Sequence, residues 1–282
     1  MGQYKLIAID LDGTLLRPDG SVSERSRAAI QLAVGAGFQV VLATGRNFTE
    51  SRRIIDDVGH RDLCVFVSGA IIMDVRRGVV VHRMTMHSTL AREVSALIEA
   101  LGHAALALQD HDSPVSDYIV TSDIELNDAT RSWMKVTQAT IEHVGRLADH
   151  PHPCTLRVGL VASRDETARI EKLLLDRFGD RVIVHSLFVP AYDVEVLEAF
   201  DPAVSKWQAV LRIARSRGIT PRQIVAVGDD VNDLSMITGA GLGAAMGNAK
   251  PRVAAAAKRV LKPNTEDGLA EFLEELVCSR DR

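Results

Sequence analysis

The sequence predicts an α/β fold, a doubly wound and mostly parallel Rossmann-like sheet interrupted by an inserted α+β module, and three observations predict it. Toward both ends of the chain, short apolar runs alternate with amphipathic stretches, as strands buried on both faces alternate with the helices that cover them. The middle of the chain, from about residue 82 to 190, abandons that alternation. Clusters rich in Asp and Gly follow several apolar runs directly, which is where the ligand loops of open parallel sheets lie.

Tyr4 to Ile9 is a nearly continuous apolar run closed by Asp10-Leu11-Asp12-Gly13-Thr14, as expected of a central strand ending in a loop. Ser21 and Glu24 have capping-box spacing ahead of Ala28, Ala29, Ile30, Leu32 and Ala33, and Gly35 and Gly37 stop that helix before a strand from Phe38 to Ala43. A helix over about 48–58 and a strand over about 63–67 follow. In the middle, helices over about 90–101 and 165–178 stand among strand-like runs at 104–108, 156–161 and 182–187. The C-terminal part resumes the alternation: a helix over about 205–217, a strand over 224–227, a helix after Asp230, a short strand near 243–246, and helices over about 253–257 and 267–277. The expected division is a discontinuous core of residues 1–82 and 191–282, with residues 83–190 as the inserted module.

Composition narrows the function. The 282 residues are enough for one large domain or two, and a 46% hydrophobic content excludes disorder. Lys and Arg total 33 against 37 Asp and Glu, a net charge of -4, so nothing favours gripping nucleic acid by counterion release or adhering to a membrane through a basic helix. Cys64, Cys154 and Cys278 are far apart and lack the CxxC spacing of a zinc or redox site. With no signal-peptide pattern after Met1-Gly2 and no long apolar run, the expected location is the cytoplasm, as a monomer or homodimer.

Four polar places follow apolar runs or open helices: Asp10 to Thr14, Thr44-Gly45-Arg46, Lys206, and Gly228-Asp229-Asp230-Val231-Asn232-Asp233. If the sheet gathers them, Asp10, Asp12, Asp229 and Asp233 share one site. Two carboxylates ~4 Å apart repel by roughly 4 kcal/mol at an effective dielectric of 20, so such a cluster calls for a hard divalent cation. Mg²⁺ fits, because it takes a few carboxylates, waters and substrate phosphate. An EF-hand loop is excluded, since Thr14 and Leu15 occupy the positions where it needs Asp or Asn and then Gly.

Asp-Leu-Asp-Gly-Thr-Leu, Ala-Thr-Gly-Arg, a lone Lys and Gly-Asp-Asp-Val-Asn-Asp, in that order, resemble the haloacid dehalogenase superfamily of phosphatases. The runs Ala240 to Ala249 and Asn264 to Leu269 resemble its Cof-type (class IIB) branch in particular. The long stretch between Thr44 and Lys206 is where that branch inserts its cap. The resemblance implies a Mg²⁺-dependent phosphomonoester hydrolase acting on a small phosphorylated metabolite, such as a sugar phosphate, through an aspartyl phosphate. Asp10 is the implied nucleophile. Asp12 is the implied general acid and base, with its backbone carbonyl rather than its side chain on the metal. Thr44, the Gly45 amide and Lys206 would hold the transferring phosphoryl group, Asp229 and Asp233 would serve the metal, and Leu11 and Asn232 would contact substrate. The implied alternatives are a phosphomutase of the same superfamily and a catalytically silent phosphate-binding protein.

Two positions depart from the family's pattern. Trp207 stands where Gly usually follows the Lys and is expected to pack between core and cap, and Ser68 stands in place of an Asn. In the inserted module, Asp110, His111, Asp112 and Arg131 are as compatible with facing the substrate as with facing solvent. His150-Pro151-His152-Pro153-Cys154 reads as a turn rather than a transition-metal site, because a fourth ligand is missing.

Overall fold

The computed structural model describes residues 4–110, 116–136, 139–189 and 194–280. The chain forms two compact units, residues 1–83 with 205–282 and residues 84–204. It enters the first through β1 (Leu6–Ile9), α1 (Glu24–Gly35), β2 (Gln39–Ala43), α2 (Phe48–Val58), β3 (Leu63–Phe66), β4 (Ile71–Asp74) and β5 (Val79–Arg83). The second unit contains α3 (Ser88–Ala100), β6 (Leu106–Gln109), β7 (Tyr118–Thr121), α4 (Asp128–Val136), β8 (Ile141–Val144), β9 (Thr155–Ala162), α5 (Arg164–Phe178), β10 (Ile183–Val189) and β11 (Val194–Phe200). The chain then completes the first unit with α6 (Lys206–Ser216), β12 (Ile224–Gly228), α7 (Leu234–Gly239), β13 (Leu242–Ala245), α8 (Pro251–Ala256), β14 (Arg259–Val260) and α9 (Gly268–Arg280).

In the first unit, eight strands run in the order β14-β13-β12-β1-β2-β3-β4-β5. The six from β14 to β3 are parallel, and an antiparallel hairpin, β4 and β5, closes the edge. All four residues of β1 are fully buried, as a strand covered on both faces requires. Leu6 and Ala8 join Val41, Ala43 and Val65 in packing against Val210, Ile213 and Ala214 of α6 and Met236 of α7. Ile7 and Ile9 face the other way and are equally buried. The register pairs Ile9 with both Val227 and Leu42, so the loops after β1, β2 and β12 emerge at one carboxyl end of the sheet.

The N-terminus of α1 is set differently from the expected Ser21–Glu24 box. Glu24 is already the first helical residue, so the cap falls on Ser23, whose Oγ accepts from the Ser26 amide at 3.0 Å. Ser21 instead donates its hydroxyl to Asp19 at 2.6 Å.

The second unit is a six-stranded sheet in the order β10-β11-β9-β6-β7-β8, antiparallel except for the β7–β8 pair. Leu90, Val94 and Ile98 of α3 and Ile170, Leu174 and Phe178 of α5 cover one face, meeting Ala105, Ala107, Val158, Leu160 and Leu197. The second expected boundary, at 190/191, falls before β11. That strand pairs antiparallel with both β10 and β9, so residues 194–200 belong to the inserted unit and the chain returns to the first unit at Ser205. No helix among the described residues is long and apolar enough to cross a membrane.

Candidate active site

At the carboxyl end of the first sheet, three carboxylates and one ammonium form a buried cluster. β1 hands over to Asp10, whose amide donates to Val227 of the neighbouring strand at 3.0 Å. Lys206, at the first turn of α6 and only 1% exposed, donates to Asp10 Oδ1 at 2.6 Å and to Asp233 Oδ1 at 2.7 Å. The other oxygen of Asp233 accepts from the amides of Asp229 and Asp230 at 3.0 and 3.1 Å, which ties the loop after β12 into a tight turn. Thr14 donates to Asp229 Oδ1 at 3.3 Å.

Ligand oxygens from Asp10, Asp229 and Asp233 all lie within 4.8 Å of one another. Burial raises the pKa of Asp10 well above the usual carboxylate range, and the neighbouring Asp233 adds to the shift while Lys206 opposes it. Burial, with Asp233 and Asp230, pushes Asp229 up to about 7. Burial works against the Lys206 ammonium, but Asp10 and Asp233 more than offset it and hold its pKa above the ordinary lysine value. One ammonium does not balance three carboxylates. An all-oxygen, carboxylate-rich cluster with that surplus suits a hard divalent cation.

Asp12 is not part of this cluster. Its side chain is 56% exposed, and its two oxygens accept from Arg46 Nε at 2.8 Å and Arg46 Nη2 at 2.5 Å. The expected four-carboxylate site is therefore a three-carboxylate one as far as side chains go. The chain leaves strand geometry after Asp10, which is 3% exposed, and Asp12 stands at φ -73°, ψ 126° ahead of Gly13 at φ +73°. A Cβ on Gly13 would sit 2.1 Å from Asp229 Oδ2, so this position admits no side chain.

Thr44 is buried, and its Oγ1 accepts from the Arg46 amide at 3.1 Å, which leaves its own proton for an acceptor. A Cβ on Gly45 would lie 3.4 Å from Ser68 Oγ and 3.8 Å from Asn232 Nδ2, so Gly45, Ser68 and Asn232 border one space. Asn232 Oδ1 is buried without a hydrogen-bond partner. The Leu11 side chain is fully buried, so only its backbone can face a ligand.

Several residues that support the site were not among the candidate site residues read from the sequence. Val67, Ser68 and Gly69 all have positive φ, at 51°, 54° and 112°. This strained turn delivers the Val67 amide to Arg46 O at 2.9 Å and the Ser68 amide to Thr44 O at 3.0 Å. A Cβ on Gly69 would meet Ser205 O at 2.2 Å, so the turn also abuts the start of α6. Asn248 Nδ2 donates to Gly13 O at 2.8 Å, and Asn264 Nδ2 to Leu16 O at 2.7 Å, while the Asn264 amide donates to Asn248 Oδ1 at 3.0 Å. The two downstream runs thus brace the Asp10–Leu16 loop.

Trp207 packs against the first unit's apolar cluster, with its indole against Gly239 of α7. In the inserted unit, Asp110 is buried, Arg131 pairs with Asp128 at 3.3 Å, and His111 and Asp112 lie outside the described residues. Both ring nitrogens of His152 are engaged, with Thr155 Oγ1 at 2.9 Å and Leu147 O at 2.8 Å, and Asp10, Asp229 and Asp233 form the one candidate metal cluster among the described residues.

A profile of the haloacid dehalogenase-like hydrolases matches residues 7–273. The chain belongs to that family. It is 27% identical to a Bacillus subtilis protein named putative phosphatase YxeH, over 98% of this chain and all of the relative. It is 29% identical to the 5-amino-6-(5-phospho-D-ribitylamino)uracil phosphatase YitU of the same organism, over 96% of each chain. The solved structure of the subclass IIB sugar phosphatase BT4131 superimposes with a TM-score of 0.80 at 21% identity, over 96% of this chain and 98% of that one. The curated relatives that it matches over nearly their whole length are named as phosphatases.

Proposed function

We propose that the protein is a Mg²⁺-dependent phosphomonoester hydrolase that works through an aspartyl phosphate on Asp10. The observation that carries this reading is the placement of Asp10 against Lys206 inside the buried three-carboxylate cluster. Lys206 takes Oδ1, so Oδ2 is the oxygen left to attack phosphorus. As the Oδ2–P bond forms, the ester P–O bond breaks, and a proton moves from the Asp12 carboxyl to the departing alkoxide oxygen. A water then attacks phosphorus, gives a proton to the Asp12 carboxylate, and the P–O bond to Asp10 breaks, restoring both side chains. Thr44 Oγ1, the Gly45 amide, Asn232 and Lys206 meet the charge on the phosphoryl oxygens.

Asp10 and Asp229, with the Asp12 backbone carbonyl, would hold Mg²⁺, and Asp233 would support it while anchoring Lys206 and the 229–230 turn. A bound Mg²⁺ supplies positive charge that offsets both the carboxylate repulsion and the phosphoryl charge. The inserted unit is the natural selector of the leaving group, and the substrates named for YitU and BT4131 favour a polyhydroxylated phosphate ester.

Phosphate release from a metabolite panel with Mg²⁺ tests this reading. Steady release without a sugar bisphosphate supports a hydrolase. Turnover only after a bisphosphate is added would make the protein a phosphomutase, and binding without release would make it a silent phosphate binder.

A further inference from the structure

Asp12 has an unusual setting for a group that must carry a proton to and from the reacting atoms. Its side chain is half exposed, on a loop, and Arg46 is its one protein donor among the described residues. A proton-transfer group must sit within hydrogen-bond reach of its target, and a misplacement of about 1 Å can cost a hundredfold in rate. An exposed loop carboxylate does not meet that demand by itself.

Arg46 is built to meet it. Its amide donates to Thr44 Oγ1 at 3.1 Å and its carbonyl accepts from the Val67 amide at 2.9 Å, so its backbone is pinned on both sides. The second pin comes from a β-branched residue held at φ 51°, a conformation costing about 1–3 kcal/mol that persists only where the surroundings enforce it. From that base, Nε and Nη2 each take one oxygen of Asp12. Ordinary exposed ion pairs contribute little because two long side chains must be ordered. Here one partner is short and the other is anchored, and the two-point grip fixes the carboxylate plane as well as its position.

We propose that Arg46 is a positioning residue for Asp12, orienting its carboxylate toward the leaving-group oxygen, rather than a ligand of the substrate phosphate. This rests on the acid and base role of Asp12 in the proposed hydrolysis, and it assigns to Arg46 a part in leaving-group departure.

The test uses the full chain with Mg²⁺ and a series of substituted phenyl phosphates, plotting log kcat/KM against the pKa of the departing phenol. Loss of a well-placed acid hurts most where the phenol is a poor leaving group. Arg46→Ala is therefore expected to steepen the plot, with little loss for the most acidic phenol and about a hundredfold loss for the least acidic. Asp12→Asn should steepen it in the same way, and Asp12→Asn/Arg46→Ala should follow the Asp12→Asn line.

A uniform drop for every phenol in Arg46→Ala, with the parental slope, would mean that Arg46 binds the phosphate and would overturn the proposal. So would an additive loss in the double variant. If Asp12→Asn itself kept the parental slope, the acid role would fail and the proposal with it, whereas a steep Asp12→Asn line beside a parallel Arg46→Ala line would defeat the Arg46 assignment alone. Should Arg46→Ala not fold, Arg46→Lys keeps the charge without the two-point grip and is expected to give an intermediate slope; a parental slope there would likewise overturn the proposal.

Discussion

Lys206 Nζ lies 2.6 Å from Asp10 Oδ1, and the lysine side chain is 1% exposed, so the central carboxylate of the site is held by a cation that water does not reach. A buried pair of this kind adds little net stability over an apolar replacement of both partners, but removing one partner strands the other.

Lys206→Met is accordingly expected to abolish turnover and to destabilise the first unit by about 3–5 kcal/mol, because Asp10 and Asp233 lose their shared cation. Urea unfolding followed by circular dichroism measures this. An unchanged midpoint would mean that the lysine is not holding buried charge.

Asp10→Asn should lower kcat for a generic aryl phosphate by at least about a thousandfold while the protein stays folded. Asp12→Asn, at an exposed position, should cost about 10²–10⁴-fold in turnover with no loss of stability. Parental activity in the first variant, measured by phosphate release, would remove Asp10 from the chemistry.

The carboxylate cluster sets a pH dependence. Asp229, raised to about 7, and Asp10, also raised, both bind protons in the folded protein at pH values where the unfolded chain has released them. Their contribution to stability is full below the unfolded carboxylate pKa, near 4, and is lost as pH rises through the folded values. With chelator present, Tm is expected to fall between about pH 5 and pH 8. Added Mg²⁺ should raise Tm most at the upper end and release protons on binding. A Tm in chelator that rises over that interval would contradict the assigned shifts.

Gly13→Ala should lose activity and Mg²⁺ affinity far more than it loses global stability. The new Cβ would collide with the Asp229 carboxylate from a φ of +73°, in the Asp10–Thr14 loop rather than in the core. Calorimetric titration with Mg²⁺, set beside thermal unfolding, separates the two effects; normal affinity would show that the loop accommodates the methyl group.

Much of the core and its site is legible in the sequence because both depend on local signals. Apolar runs such as Leu6–Ile9 announce buried strands, and the Asp-rich loops that follow them sit where parallel sheets place ligands. What is not legible depends on neighbours across the sheet. Arg46 stands in one of the polar turns that the sequence marks, but its partner is legible only once the β1–β2 register brings it to Asp12, and Asn248 and Asn264 read as family pattern until they are seen bonded to Gly13 and Leu16. Likewise Val194–Phe200 alternates like many half-buried strands, and only its pairing with β9 and β10 assigns it to the inserted unit.

The proposed hydrolysis passes the phosphoryl group through Asp10. Acid quenching during turnover of ³²P-labelled substrate, with borohydride trapping of the acyl phosphate and peptide mapping, tests it directly. One trapped site is expected, at Asp10, and it disappears in Asp10→Asn. A fully active enzyme that yields no trapped species, or one trapped at another residue, would contradict it.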